Sequence, residues 1–244
     1  VGKSSITANL ALALVRTGAT VGLLDADVYG YSIPHMLGID QRPVVVDDLI
    51  VPPVKGEMKV MSIGFFLEEN GPVMWRGPML HRALEQFLSD VHWGELDVLV
   101  VDMPPGTGDV SISLGQLLPR AEAVVVTTPQ PAAQEVAIRA AIMAQKTNMR
   151  LIGVIENMSY LVGTGQEVFG SGGGKALADQ VGVPLLGKIP LDPALRECSD
   201  TGEPVVWQYP ESEAALAIVA VAEAIAGTAR EKGVGIVKPL TVLS

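Results

Sequence analysis

The chain has 244 residues, of which 48% are hydrophobic and 18% charged, with a formal charge of −10. That length suits one large α/β domain with a substantial core, and the acidic balance argues against general affinity for nucleic acid or an anionic membrane. A single cysteine, Cys198, excludes an intrachain disulfide framework and fits a reducing, cytoplasmic setting.

The first residues, Val1-Gly2-Lys3-Ser4-Ser5, match the second half of a phosphate-binding loop of the form G-x-x-x-x-G-K-[ST]. In that loop glycine lets backbone N–H groups wrap a phosphate, lysine neutralises it, and the hydroxyl holds Mg²⁺. The periodic run after it predicts a helix over Ser4–Thr17 whose positive end faces the phosphates. The strand that normally leads into such a loop sits centrally in the sheet, so the natural protein is expected to start before Val1.

Buried-type runs bounded by turn residues predict strands at Thr20–Asp25, Lys59–Gly64, Asp97–Asp102, Ala123–Thr128, Leu151–Glu156 and Leu185–Ile189. Between them, helices are predicted at Met79–Val91, Val110–Leu118, Ala132–Lys146, Gly174–Val181 and Glu211–Glu231. Gln41–Val54 reads as an irregular excursion with room for a short β-pair, and the tail after Gly233 as a loose apolar-polar segment that could be partly ordered against a neighbour. The alternation predicts an α/β fold, a doubly wound, mainly parallel sheet with helices on both faces. A single domain over 1–244 is the economical reading, with 233–244 as a C-terminal tail. The longest apolar stretch, Ala214 to Ala222, is too short to span a bilayer.

Chemistry is expected at the carboxyl ends of the strands. Asp25 and Asp27 follow the first predicted strand; one carboxylate suits the surroundings of Mg²⁺ and the other the positioning of water, while capping a turn is the plainer role. Asp97–Asp102 is a hydrophobic strand ending in a carboxylate, the Walker-B pattern in which Asp102 supports Mg²⁺. The Pro-Pro-Gly-Thr-Gly loop after it, with Pro105, Gly106 and Gly108, combines stiffness with backbone N–H groups that can approach a γ-phosphate, or serves as a rigid turn. Asn157 at one strand end, and Pro190 with Asp192 at the next, are suited to a purine base or to ordinary loop chemistry. Gly170–Gly174 could cradle an anion or simply free the adjoining loop.

These segments, together with Asp25-Ala-Asp-Val-Tyr-Gly, Met61-Ser-Ile-Gly-Phe, Trp75-Arg-Gly-Pro-Met, Asp102-Met-Pro-Pro-Gly-Thr-Gly-Asp, Thr128-Pro-Gln, Glu156-Asn-Met-Ser-Tyr and Ile189-Pro-Leu-Asp, resemble the Mrp/ApbC family in order from residue 1 to about 230. Those are cytosolic P-loop ATPases that carry and assemble iron-sulfur clusters, related to Min-type, chromosome-partitioning and nitrogenase iron proteins. The resemblance implies an ATP- and Mg²⁺-dependent, nucleotide-sandwiched homodimer acting on client apoproteins. It assigns Lys3, Asp27 and Asp102 to catalysis. Gly2, Lys3, Ser4 and Ser5 would bind phosphate, and Ser4, Asp25 and Asp102 would lie around Mg²⁺. Asp25, Asp27, Pro105, Gly106 and Gly108 would form the switches, and Asn157, Pro190 and Asp192 would meet the base.

The family's Cys-x-x-Cys pair, expected after Tyr160 as ligand for a 4Fe–4S cluster, is absent: Tyr160-Leu161-Val162 runs into Gly163-Thr164-Gly165 without cysteine. A mobile cysteine loop omitted between Val162 and Gly163, a branch that lost the ligands, and deliberate substitution all account for this. Alternative functions are a positioning ATPase of the Min/ParA kind and a nucleotide-gated scaffold without cluster. The first wants a basic amphipathic C-terminal helix or basic patch, which the tail lacks.

Overall fold

The computed structural model of the chain describes residues 1–28, 30–66, 77–105, 108–231 and 238–243. In chain order the elements are α1 (Lys3–Arg16), β1 (Val21–Asp25), α2 (Ile33–Met36), β2 (Val44–Val46), β3 (Leu49–Val51), β4 (Val54–Lys55), β5 (Met58–Ser62) and a 3₁₀ turn at Ile63–Phe66. There follow α3 (Gly77–Ser89), β6 (Val98–Asp102), α4 (Asp109–Leu117), β7 (Glu122–Thr127), α5 (Pro131–Lys146) and β8 (Arg150–Leu161). The rest are α6 (Gly173–Val181), β9 (Leu185–Leu191), α7 (Pro193–Thr201), α8 (Val205–Gln208), α9 (Glu213–Glu231) and β10 (Lys238–Leu243).

An eight-stranded sheet in the order β4-β5-β1-β6-β10-β7-β8-β9 organises these elements, and only the edge pair β4–β5 is antiparallel. Strand residues alternate between two cores because successive side chains leave a strand on opposite faces. Leu23, Val100, Val124 and Val242 join α1, α8 and α9 on one face. Leu24, Val101, Val125 and Leu243 join α3, α4, α5 and α6 on the other. Both faces are therefore covered, which is why the central strands read as continuous apolar runs rather than as alternating ones.

Each predicted strand and helix is present, with ends shifted by a residue or two. The exception is β8, which continues five residues past Glu156 to Leu161. The excursion at Gln41–Val54 does carry a β-pair, the two-stranded sheet β2–β3.

The tail departs from its reading as a loose segment. Lys238–Leu243 is β10, lying parallel between β6 and β7, with Val242 opposite Asp102 and Leu243 opposite Val125. It takes the central place beside the Walker-B strand that the sequence pattern reserves for the strand leading into the phosphate loop. Pro239 argues against a central strand, since it cannot donate to a ladder. It is accommodated at the strand's start: Pro239 pairs only with Leu99 of β6, and pairing to β7 begins at Leu240. Among the described residues no helix is long and apolar enough to cross a membrane.

Candidate nucleotide site

β1 and β6 are parallel neighbours in a register that sets Asp25 directly beside Asp102 at their carboxyl ends. α1 begins at the same rim. Its N-cap, Gly2, sits at φ 75° and supplies no side-chain cap, so the first N–H groups of the helix remain available to an anion. A Cβ at Gly2 would lie 2.3 Å from Asn157 Nδ2, so both the positive φ and the close approach of Asn157 require glycine here. Asn157 Nδ2 donates to the Val1 carbonyl at 3.1 Å, tying the end of the loop to β8.

Asp102 is the hub. Its side chain is fully buried and accepts from Lys3 Nζ at 2.7 Å and Thr7 Oγ1 at 2.8 Å through Oδ1, and from Ser4 Oγ at 2.7 Å through Oδ2. Thr7 follows Lys3 by four residues and Ser4 by three, so all three reach Asp102 from the first turn of α1. Lys3 Nζ also lies 3.9 Å from Asp27 Oδ2. Asp27 Oδ1 accepts from the Gly30 N–H at 3.1 Å, which fixes the turn after β1.

Asp25 has a different environment. Fully buried, it accepts from Ser62 Oγ at 2.9 Å and from the Asp27 N–H at 3.2 Å. Burial, and then the neighbouring Asp102 charge, push its carboxyl up to about 8, against the opposing pull of Ser62, the Asp27 amide and Lys3. The Lys3 ammonium faces Asp102 and Asp27, and its pull on Asp25 is the weakest of those named, so burial holds the Asp25 carboxyl toward its protonated form.

A cavity of about 330 Å³ opens beside this network, lined by Val1, Gly2, Lys3, Ser4, Asp27, Pro105, Val126, Ala133 and Val136. Helix-end N–H groups, an ammonium, a hydroxyl and a carboxylate around one anion-sized space fit a nucleotide phosphate with Mg²⁺. Ser4 and Asp102 would hold the metal, and Lys3 the phosphate.

Lys3, Ser4, Asp27, Asp102 and Pro105 thus come together as the sequence predicts. Ser5 turns away, its Oγ 3.8 Å from Met36 Sδ. Gly108 is the N-cap of α4, and Gly106 lies outside the described residues. Pro190 is buried in β9. Asp192 caps α7, accepting from the Ala194 N–H at 2.8 Å, and borders a separate depression with Gln208, Tyr209 and Ser212. Neither residue lines the cavity.

The Gly170–Gly174 cradle is also filled from within the chain. The buried Glu156 carboxylate accepts from the Gly174 N–H at 2.5 Å at the start of α6, taking the place of an external anion. Where the resemblance expects a cysteine pair, the chain closes in a tight turn, with Gly165 N–H donating to Leu161 O and Leu161 N–H to Gln166 O, both at 2.9 Å.

Thr7, Ser62 and Glu156 were not assigned roles from sequence. Thr7 could have been found from its spacing to Lys3 and Ser4 on a helix, and Ser62 from its place at the carboxyl end of a buried strand. Nothing local marks Glu156 as the partner of a glycine 18 residues away.

The family model described as ParA, NUBPL iron-transfer P-loop NTPase, matches residues 1–226. A protein of Mycobacterium leprae named iron-sulfur cluster carrier protein is 52% identical over 239 residues, covering 94% of this chain and 62% of its own length. A Bacillus subtilis protein of the same name is 51% identical over 195 residues, covering 78% of this chain and 55% of its own. The chain thus spans about three fifths of the length of these curated relatives.

Among solved structures, a nucleotide-binding protein of Archaeoglobus fulgidus in complex with ADP aligns with TM-score 0.69 at 35% identity, covering 87% of this chain and 88% of the other. The cell division ATPase MinD of Pyrococcus furiosus aligns with TM-score 0.71 at 26% identity, covering 93% and 94%. With a lysine, a hydroxyl and a strand-end aspartate meeting at the head of α1 and the match running through residue 226, the chain belongs to the NUBPL iron-transfer P-loop NTPase family within the ParA group.

Proposed function

We propose that this chain binds and hydrolyses ATP with Mg²⁺ as the nucleotide-driven part of an iron-sulfur cluster carrier. The observation that carries the reading is the convergence of Lys3, Ser4 and Thr7 on Asp102 beside a cavity headed by the uncapped end of α1. Bound Mg²⁺ supplies charge neutralisation at the phosphates. The Lys3 ammonium passes from Asp102 to a phosphate oxygen, where a fixed cation favours the charge that develops in phosphoryl transfer. Ser4 and Asp102 hold the metal, and Asp27, at the cavity wall, orients the attacking water. ATP rather than GTP rests on the family and on the ADP complex of the Archaeoglobus relative.

Cluster carriage rests on the names of the curated relatives. The sequence contains one cysteine, Cys198, whose thiol is buried and pushed up by that burial and by Glu197, Asp192 and Glu203. A lone protonated thiol does not fit a 4Fe–4S cluster, so its ligands are not among these residues and no step through the cluster follows from them. A cytoplasmic, nucleotide-sandwiched homodimer delivering clusters to apoproteins belongs to the same proposal.

The test is phosphate release from Mg·ATP by the wild type and by Lys3→Ala, Asp27→Asn and Asp102→Asn. Turnover by the wild type, none by Lys3→Ala, and retained binding without turnover by Asp27→Asn are expected. Robust turnover by Lys3→Ala removes the site; binding without turnover by the wild type leaves a nucleotide-gated scaffold instead.

A further inference from the structure

The hairpin β2–β3 forms a sheet of its own, and its aliphatic side chains stand in solvent: Val44, Val45 and Val46 are 60%, 65% and 52% exposed, Leu49 43% and Val51 40%. Scattered exposed apolar residues need no explanation, but here five stand on one small hairpin. The register Val44↔Val51, Val45↔Ile50, Val46↔Leu49 puts Val44, Val46, Leu49 and Val51 on one face.

The two edges of this hairpin differ. The Ile50 N–H donates to Asp90 O and the Ile50 carbonyl accepts from the His92 N–H, both at 2.8 Å, so the β3 edge is tied to the body. With Ile50 occupied on that side, its cross-strand partner Val45 makes no ladder bond to it. Val45 therefore turns its N–H and C=O to the outer edge of β2, which pairs with no strand among the described residues. An open apolar edge is a template for another strand.

We propose that this edge pairs with the same edge of a second copy of this chain, antiparallel about a two-fold axis at Val45. In that register Val45 of each copy exchanges both main-chain hydrogen bonds with Val45 of the other. Val44 packs beside Val46 across the axis, and the pairing is self-complementary as a two-fold contact requires. The charges choose this occupant over a foreign peptide. Antiparallel pairing about residue 45 brings Arg42 of one copy alongside the Asp47–Asp48 turn of the other, twice. All three residues are exposed, and none enters an ion pair among the described residues. Pro43 lacks an N–H and ends the ladder, so the contact is short and the association weak and reversible. It lies on the β2 edge rather than at the phosphate cavity, and so needs no nucleotide.

Val45→Cys tests the geometry, since a hydrogen-bonded antiparallel pair holds its Cα atoms about 5.5 Å apart, within disulfide range. In nucleotide-free protein under mild oxidation, Val45→Cys should form an interchain disulfide about tenfold faster than Val54→Cys. Val54 is a fair control because it is 57% exposed but lies on β4, and Cys198, 2% exposed, does not compete. Sedimentation at roughly 100 μM should show a dimer that Arg42→Asp weakens, Asp48→Arg weakens, and the two together restore. Equal cross-linking of the two cysteine variants, a monomer at every concentration, or no restoration by the double exchange would each overturn the proposal. Because ATP is absent throughout, these outcomes leave the nucleotide reading untouched.

Discussion

Replacing Asp25 by asparagine isolates the titration of one buried carboxyl. The side chain is fully buried beside Asp102, and its pKa of about 8 stands against an ordinary value of 3.8. A folded-state pKa raised above the unfolded one means that the folded protein holds the proton while the unfolded chain releases it. The associated stability is fully present below about pH 4 and is lost as pH rises through about 8. The wild type should therefore lose stability across this window with a slope of at most about 1.4 kcal/mol per pH unit from this group. Four such units set an upper bound of about 6 kcal/mol, which relaxation of the buried pair reduces. The carboxamide introduced by Asp25→Asn is nearly isosteric, keeps an oxygen for the Asp27 N–H, and does not titrate. Urea unfolding of both proteins from pH 5 to pH 9, by about one-unit steps, reads the difference directly. The wild type should be progressively less stable than the variant as pH rises. Parallel profiles would refute the protonated state of Asp25.

Three further perturbations follow from the same network. Lys3→Ala leaves the buried Asp102 without its cation and should cost about 3–5 kcal/mol in denaturant unfolding, besides abolishing turnover. Gly2→Ala combines the left-handed backbone cost with a Cβ 2.3 Å from Asn157 Nδ2, for a loss of about 2–3 kcal/mol in thermal or urea unfolding; Asn157→Ala in the same chain should recover part of it. Glu156→Ala orphans the Gly174 N–H and should destabilise by about 2 kcal/mol, with faster amide exchange confined to the first turn of α6.

Much of the site was legible because its residues follow buried runs. Val21–Asp25 and Val98–Asp102 announce themselves as strands, and parallel pairing then forces their terminal carboxylates to one rim. The Gly2-Lys3-Ser4 pattern adds the helix end. What was not legible depends on pairings across sequence distance. Glu156 fills the glycine-rich turn ahead of α6, so a motif read as an anion cradle is satisfied internally. Asp192 looked suited to a base because a carboxylate after Ile-Pro-Leu accepts hydrogen bonds; its acceptor oxygen caps α7. β10 was missed because the tail carries only a short, mixed apolar-polar run, and its place between β6 and β7 depends on pairing with strands far away in sequence.

A crystal structure of this chain soaked with Mg·ADP examines the phosphate site most directly. The account predicts the β-phosphate at the head of α1, with Lys3 Nζ drawn off its 2.7 Å contact with Asp102 and onto a phosphate oxygen. A nucleotide bound elsewhere, with the Lys3–Asp102 pair intact, would contradict it.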